Sequence, residues 1–187
     1  MIAEIKTKRL FVLFPHSLVL MFYILFSSPI KAQINSPEEY QLKAVFLYNF
    51  TRFVDWPLHS FSNSNSPFVI GIVGNDPFGS NLEEAIRGES VGSHTMIIQH
   101  YSEITESTNC HLLFINSKDP DEIRGILEAV KGKNILTVNE YSKFPQLGGM
   151  VQFINENNKI KLVINNNAVK VTQLQISSKL LSVARIY

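Results

Sequence analysis

The residue types that most often do chemistry in proteins are sparse in this chain of 187 residues. It has one cysteine and five histidines, and no HExxH, CxxC or GxSxG motif accompanies them. His94 and His100 would share one face of a strand, but no second pair of ligands stands near them in sequence. Cys110 begins an apolar strand, where a thiol is normally buried and inert. We therefore predict no catalytic residue, no metal site and no cofactor.

A glycine-rich turn follows the first apolar strand pattern, FVIGIVGNDPFG. Its glycines match neither GxGxxG nor the phosphate loop, and Asp76 would place negative charge where an anion binds. A strand-to-helix turn, with Asp76 as N-cap and Pro77 as first helical residue, accounts for the pattern. Because α/β sheets bind ligands beyond the C-terminal ends of their strands, a small-molecule crevice there is the alternative. Its predicted lining residues are Asn75, Asp76 and Phe78.

The most apolar helical pattern runs from Glu39 to Pro57, EYQLKAVFLYNFTRFVDWP. Ser36 and Glu39 form a capping-box pattern at its start, and Pro57 ends it. Its apolar residues recur at steps of three and four and cover more of the helix than the arc of about 100° that faces a core. We predict that the excess lies between two layers or meets a partner; a wholly core helix with one satisfied asparagine is the alternative. The residues predicted for the core are Leu42, Phe46 and Phe53, with Asn49 hydrogen-bonded beneath them, and those predicted to face a partner are Tyr48, Arg52, Asp55 and Trp56.

Short apolar runs bounded by turn residues alternate with helical patterns through the rest of the chain. The predicted strands are residues 68–73, 95–101, 111–115, 135–138, 150–154 and 159–164. The predicted helices after the first are residues 77–88, residues 120–131 and a final helix capped by Ser177. Unbroken apolar strands are typical of parallel sheets covered on both faces, whereas the last two strands flank a polar turn. The sequence therefore predicts a three-layer α/β/α domain whose mostly parallel sheet carries a C-terminal antiparallel hairpin.

The first thirty-two residues predict a secretory signal peptide. A short basic segment precedes an apolar run over residues 10–26, and the small residue Ala32 follows. The run is short for a membrane span, so we expect cleavage near Ala32 rather than an anchor. We assign residues 1–32 to the signal peptide and residues 33–187 to one exported domain.

Charge and cysteine content limit which partners this exported domain can bind and which covalent bonds it can form. Residues 1–32 hold four of the 17 basic and one of the 16 acidic side chains, which leaves 13 basic and 15 acidic side chains afterwards. No cluster of lysine and arginine is present, so we expect no nucleic-acid partner. A single cysteine also rules out an internal disulfide.

The sequence of the first predicted helix resembles that of the YfiR family of small periplasmic regulatory proteins. The resemblance continues in the family's order through Phe68–Gly79, Cys110–Asn116, Ile135–Val138, Gly148–Phe153 and Leu174–Ile186. Studied members of the family repress membrane-bound signalling enzymes, notably diguanylate cyclases. The resemblance implies a non-enzymatic periplasmic repressor that binds the periplasmic domain of an inner-membrane diguanylate cyclase or histidine kinase.

Two further points follow from the resemblance. Relatives can self-associate, so the resemblance includes a homodimer among the expected oligomeric states of this chain. Relatives often carry another cysteine in the first strand, where this chain has Ile70, Gly71 and Ile72.

The runner-up function is a periplasmic small-molecule binding domain that uses the strand-end crevice.

Overall fold

The computed structural model of the protein describes residues 37–105 and 108–187. The predicted signal peptide and the predicted cap Ser36 lie outside the described residues. The helices are α1 (Pro37–Phe53), α2 (Ser80–Ile86), α3 (Pro120–Ala129), α4 (Asn166–Lys170) and α5 (Ser178–Val183). The strands are β1 (Val54–Asp55), β2 (Phe68–Gly74), β3 (Ser90–Val91), β4 (His94–Tyr101), β5 (Leu112–Asn116), β6 (Leu136–Asn139), β7 (Val151–Glu156), β8 (Lys159–Ile164), β9 (Gln175–Ile176) and β10 (Arg185–Ile186).

One sheet of eight strands organises the described residues, in the order β10-β8-β7-β6-β5-β2-β4-β3. Strands β4, β2, β5, β6 and β7 are parallel, and β8 returns antiparallel to β7. The turn between β7 and β8 places Asn157 and Asn158 at φ 54° and 60°, a left-handed conformation that asparagine tolerates in two-residue hairpins. This topology confirms the predicted α/β fold with its mostly parallel sheet and C-terminal hairpin.

Alternate residues of the central strands pack on opposite sides of the sheet. Phe68, Ile70 and Ile72 of β2 join the core beneath α1 and α2. Val69 and Val73 join a second core that includes residues of α3. Because β2 is buried on both faces, its sequence reads as an unbroken apolar run. The described chain is therefore layered as helix, sheet and helix.

The second helix begins later than the sequence predicts. Asp76 Oδ1 accepts a hydrogen bond from the Phe78 backbone N–H at 2.7 Å, which closes a local turn instead of capping a helix. The helix starts at Ser80, after Gly79 at φ 55°. The prediction that Ser177 caps the last helix is confirmed, since its side chain accepts from Leu180 N at 3.3 Å.

The thiol of Cys110 is buried between the sheet and the second core. Desolvation by burial raises its pKa to about 12, so it stays protonated near neutral pH. The predicted burial of the cysteine is confirmed, and its low reactivity stays a prediction. Within the described ranges, no helix combines the length and apolarity that a membrane crossing requires.

Candidate functional site

The inner face of α1 is set by a row of small and large apolar side chains. Ala44, Leu47 and Phe50 are fully buried, and Val54 continues their line into β1. Phe50 stacks on Phe153 of β7, with ring centres 5.9 Å apart. Steps of three and four between these residues place them on one side of the helix, and the small Ala44 lets its backbone approach the sheet.

Of the three core residues predicted for α1, Phe46 and Phe53 pack against the core and Leu42 does not. Leu42 is 43% exposed, whereas Phe46 and Phe53 are half-buried, and Phe46 meets Phe153 of β7 edge-on with ring centres 5.9 Å apart. Asn49 is half-buried too, and its side chain makes no hydrogen bond with the part of the chain that the structure describes. The prediction of Leu42 as core and of Asn49 as hydrogen-bonded is wrong. The reason is that the apolar arc of α1 is wide, and periodicity alone does not say which part of it faces the sheet.

We call the exposed side of the helix the outer face of α1; it consists of Leu42, Val45 and Asn49, and the half-buried Phe46 and Phe53 form its border with the core. Val45, at 42%, is exposed as much as Leu42. With 3.6 residues per turn, Leu42, Val45 and Asn49 point away from the buried row, whereas Phe46 lies beside Phe50. Contiguous exposed apolar side chains commonly mark binding surfaces, and the free Asn49 amide offers both donors and an acceptor there.

One flank of the outer face carries two of the predicted partner-facing residues. Tyr48 Oη donates to Glu89 Oε2 at 2.6 Å, which ties α1 to the segment after α2. This hydrogen bond to a carboxylate is the largest cause of the raised pKa of Tyr48, and the cation of Arg52 acts in the opposite direction. Arg52 is exposed one turn further along the helix. The structure therefore brings Tyr48 and Arg52 together, with Glu89 as a third member that sequence spacing did not reveal.

The other two predicted residues diverge at the end of the helix. Asp55 is exposed in β1, opposite Gln175 of β9. Trp56 turns inward: its Nε1 donates to the His111 carbonyl at 3.0 Å, and its ring meets Phe68 edge-on at 4.8 Å. Trp56 is half-buried, so only part of its ring is available to a partner. A partner-facing role for these residues stays a prediction.

A buried lysine fixes the first turns of α1, and sequence reasoning missed it. Lys43 is 2% exposed; its Nζ pairs with Glu39 and lies 2.8 Å from Glu140 Oε1, a contact without hydrogen-bond geometry. The same Nζ stands 4.5 Å from the centre of the Tyr40 ring, and Asn155 donates to Glu39 at 2.7 Å. Buried charges need such partners, so the network holds α1 over the ends of β6 and β7. The four-residue spacing of Glu39 and Lys43 was the available signal.

The residues predicted for a strand-end crevice are engaged with their own neighbours. The Asn75 carbonyl accepts from Asn116 Nδ2 at 2.6 Å, and Asp76 Oδ2 lies 2.8 Å from His100 Nε2. Phe78 is 1% exposed and packs edge-on against Phe114 at 4.8 Å. Asn75 and Asp76 thus lie at the end of β2 as predicted, whereas Phe78 is part of the core and does not line an open crevice. Ligand binding by the first two stays a prediction.

Among the residues that the structure describes, no three histidine, cysteine, aspartate or glutamate side chains are grouped so that they could hold a metal ion. The family model for YfiR/HmsC-like proteins matches residues 40–185, which span from the first turn of α1 to the start of β10. No curated protein matches the chain.

Proposed function

The chain belongs to the YfiR/HmsC-like family, and from this we propose that it is a non-enzymatic periplasmic repressor. Its target is the periplasmic domain of an inner-membrane diguanylate cyclase or histidine kinase. We assign partner binding to the outer face of α1, and this surface is the observation that supports the proposal. Because Leu42 and Val45 are apolar and exposed there, covering them and the remaining exposed edges of Phe46 and Phe53 with a partner would release the hydration cost of these side chains.

The make-up of this surface fits what tight interfaces use. Their centres are apolar and aromatic, and aromatic residues and arginine dominate their binding energy. The outer face supplies the exposed Leu42 and Val45 at its centre and the half-buried rings of Phe46 and Phe53 at its border, and Arg52 stands at its flank. Tyr48 is already oriented by Glu89, so less side-chain entropy is lost when a partner binds.

Repression requires that the protein bind the inactive state of its target more tightly than the active state. Turning a target from 99% active to 99% inactive takes a preference of about 10⁴-fold, or about 5.5 kcal/mol. Three hot-spot residues at about 2 kcal/mol each, in contacts made only with the inactive state, are of that order. A surface of this size can therefore shift the target without any catalytic group.

A pull-down with matched valine variants tests the proposal. The tagged protein is incubated with detergent-solubilised membranes of the native cells, and captured proteins are identified by mass spectrometry. Val45→Glu places a charge on the outer face, whereas Val171→Glu makes the same change at an exposed valine after α4. We expect the wild type and Val171→Glu to capture a membrane cyclase or kinase, and Val45→Glu to lose it. Equal capture by both variants would move the interface elsewhere, and no such enzyme in any sample would contradict the repressor function.

A second candidate function, small-molecule binding, is favoured by a cleft of about 670 Å³ between α3 and α4. Leu127, Val130, Leu147 and Met150 give it an apolar wall. Its volume is in the range of small-molecule sites, about 300–1,000 Å³. The ligand would then bind there rather than at the strand ends. A thermal-shift screen of periplasmic extracts, in which Val171→Glu abolishes any stabilisation, tests this candidate.

A further inference from the structure

Four rings stacked in sequence fasten the segment 57–67 to the sheet. Phe61 from that segment lies between His94 of β4, at 3.7 Å, and His111, at 4.5 Å between ring centres. His111 in turn stacks on Phe68 of β2 at 4.7 Å. Outside this stack the segment is mostly exposed, with Leu58 at 90%. We call the stack and the hydrogen bonds of its two histidines the ring latch.

The hydrogen bonds of His111 require a neutral ring. The backbone N–H of Val69 donates to Nδ1 at 3.0 Å, so Nδ1 carries no proton. Nε2, which must then carry one, donates to the Ser60 carbonyl at 3.1 Å. A proton added to Nδ1 would face the N–H of Val69, which removes an acceptor and sets two donors against each other.

His94 differs from His111 in this respect. Its Nδ1 lies 2.6 Å from the Ser66 carbonyl, a contact in which the ring donates. The neutral and the protonated ring can both make that hydrogen bond. Of the two histidines in the ring latch, only His111 must lose its contact when it gains a proton.

The surroundings of His111 disfavour a charged ring. Desolvation by burial lowers its pKa most; the hydrogen bond to Ser60 opposes this, and the nearby His94 lowers the pKa further. The other titratable groups around the latch are His59 on the segment itself, Tyr101 and Glu103 of the adjoining cavity, Cys110 next in the chain, and Lys133 beside Cys110. Desolvation raises the pKa of Tyr101 and of Cys110 to about 12, so both stay neutral. No carboxylate in the described chain is hydrogen-bonded to the His111 ring.

We propose that the ring latch is a pH-sensitive device: neutral His111 holds segment 57–67 and the adjoining Trp56 against the sheet, and its protonation releases them. In the released state the imidazole regains its ordinary affinity for protons, near pH 6.5. The latched state is therefore most stable above about pH 6.5. Its stability relative to the released state decreases as the pH falls towards the lowered pKa of latched His111. For one proton, the ratio of released to latched molecules rises at most tenfold per pH unit. The inference stands independently of the partner proposed above.

Trp56 is a built-in reporter because it is the only tryptophan of the chain. Its Nε1 donates to the His111 carbonyl and its ring packs on Phe68, so release should expose it. Acrylamide quenching of its fluorescence is measured from pH 8 to pH 5, with far-UV circular dichroism recorded in parallel. We expect quenching to rise below about pH 6.5 while the circular dichroism stays constant. The Cε1 proton of His111, followed by NMR over the same range, should titrate with the same midpoint.

Two variants separate the two histidines. His111→Asn keeps an acceptor near the Nδ1 position but does not titrate, so quenching should become independent of pH. His94→Asn keeps a donor for the Ser66 carbonyl, so the transition should persist, at a slightly higher pH because the nearby His94 lowers the pKa of His111 in the wild type. A transition that survives in His111→Asn or disappears in His94→Asn overturns the proposal. Should His111→Asn not fold, the wild-type protein decides: a His111 titration that does not coincide with the change in Trp56 quenching also overturns it.

Discussion

Leu47 and Leu42 are the same residue type on one helix, yet they face opposite sides of it. Leu47 is fully buried in the core beneath α1, whereas Leu42 is 43% exposed on the outer face. Replacing each with alanine therefore applies one chemical change to two environments. The pair tests the assignment of the inner and outer faces on which the proposed function depends.

The expected losses follow from burial. Leucine-to-alanine removes three carbon groups, each contributing about 0.8 kcal/mol when buried, or about 2.4 kcal/mol in all. At Leu47 the cavity left behind adds to this, so the free energy of unfolding should fall by about 3–5 kcal/mol. At Leu42 a little over half of the side chain is withdrawn from water and no closed cavity forms. There we expect a loss of about 1 kcal/mol, partly offset by the higher helix propensity of alanine.

Urea unfolding followed by far-UV circular dichroism measures both losses on one scale. Each kcal/mol should also lower the Tm by about 2–4 °C for a chain of this size. Leu42→Ala should in addition weaken capture of the membrane partner, whereas Leu47→Ala, tested while folded, should not. Equal destabilisation by the two substitutions, or a larger one at Leu42, would refute the orientation of α1 described above.

Three further substitutions probe other parts of the molecule. Lys43→Met should cost about 3–5 kcal/mol in urea unfolding at pH 7, because two largely buried carboxylates lose their counter-ion; a loss below about 1 kcal/mol would contradict this. Gly71→Ala should lower the free energy of unfolding by about 1–3 kcal/mol, because a Cβ there would lie 2.8 Å from Tyr101 Cε2 and 3.0 Å from Leu113 Cδ1; urea unfolding checks it, and an unchanged stability would contradict the close packing at this position. Arg52→Ala should weaken partner capture with little change in Tm, whereas Trp56→Ala should also lower the Tm through its lost packing and hydrogen bond; equal Tm values would contradict the inward turn of the ring.

The fold class was accessible from the sequence because its strongest signals are local. Strands β2, β5 and β6 are unbroken apolar runs, and the hairpin of β7 and β8 flanks a run of asparagines. The four strands of two residues each were not predicted, since two residues carry no periodicity. They exist because neighbouring segments supply their hydrogen bonds.

The site was harder to predict because its properties depend on distant contacts. The rotation of α1 is decided by contacts with the sheet: Phe153 meets both Phe46 and Phe50, which leaves Leu42 outside, and nothing within the helix itself favours this choice. The inward turn of Trp56 depends on a carbonyl 55 residues away in the chain. The neutral state of His111 depends on Val69 and Ser60, which belong to different segments. Sequence spacing identified Tyr48 and Arg52 as neighbours because they lie one turn apart on the same helix.

The most direct test of the proposed repressor measures the output of its target in the native cells. Cellular cyclic-di-GMP is quantified in strains that carry the wild-type gene, a deletion, Val45→Glu or Val171→Glu, at equal abundance of the three proteins. Phosphorylation of the response regulator replaces cyclic-di-GMP if the captured partner is a kinase. The account predicts that the output rises to the same level in the deletion and Val45→Glu strains and stays low in the other two. An unchanged output in the deletion strain, or full repression by Val45→Glu, would contradict it.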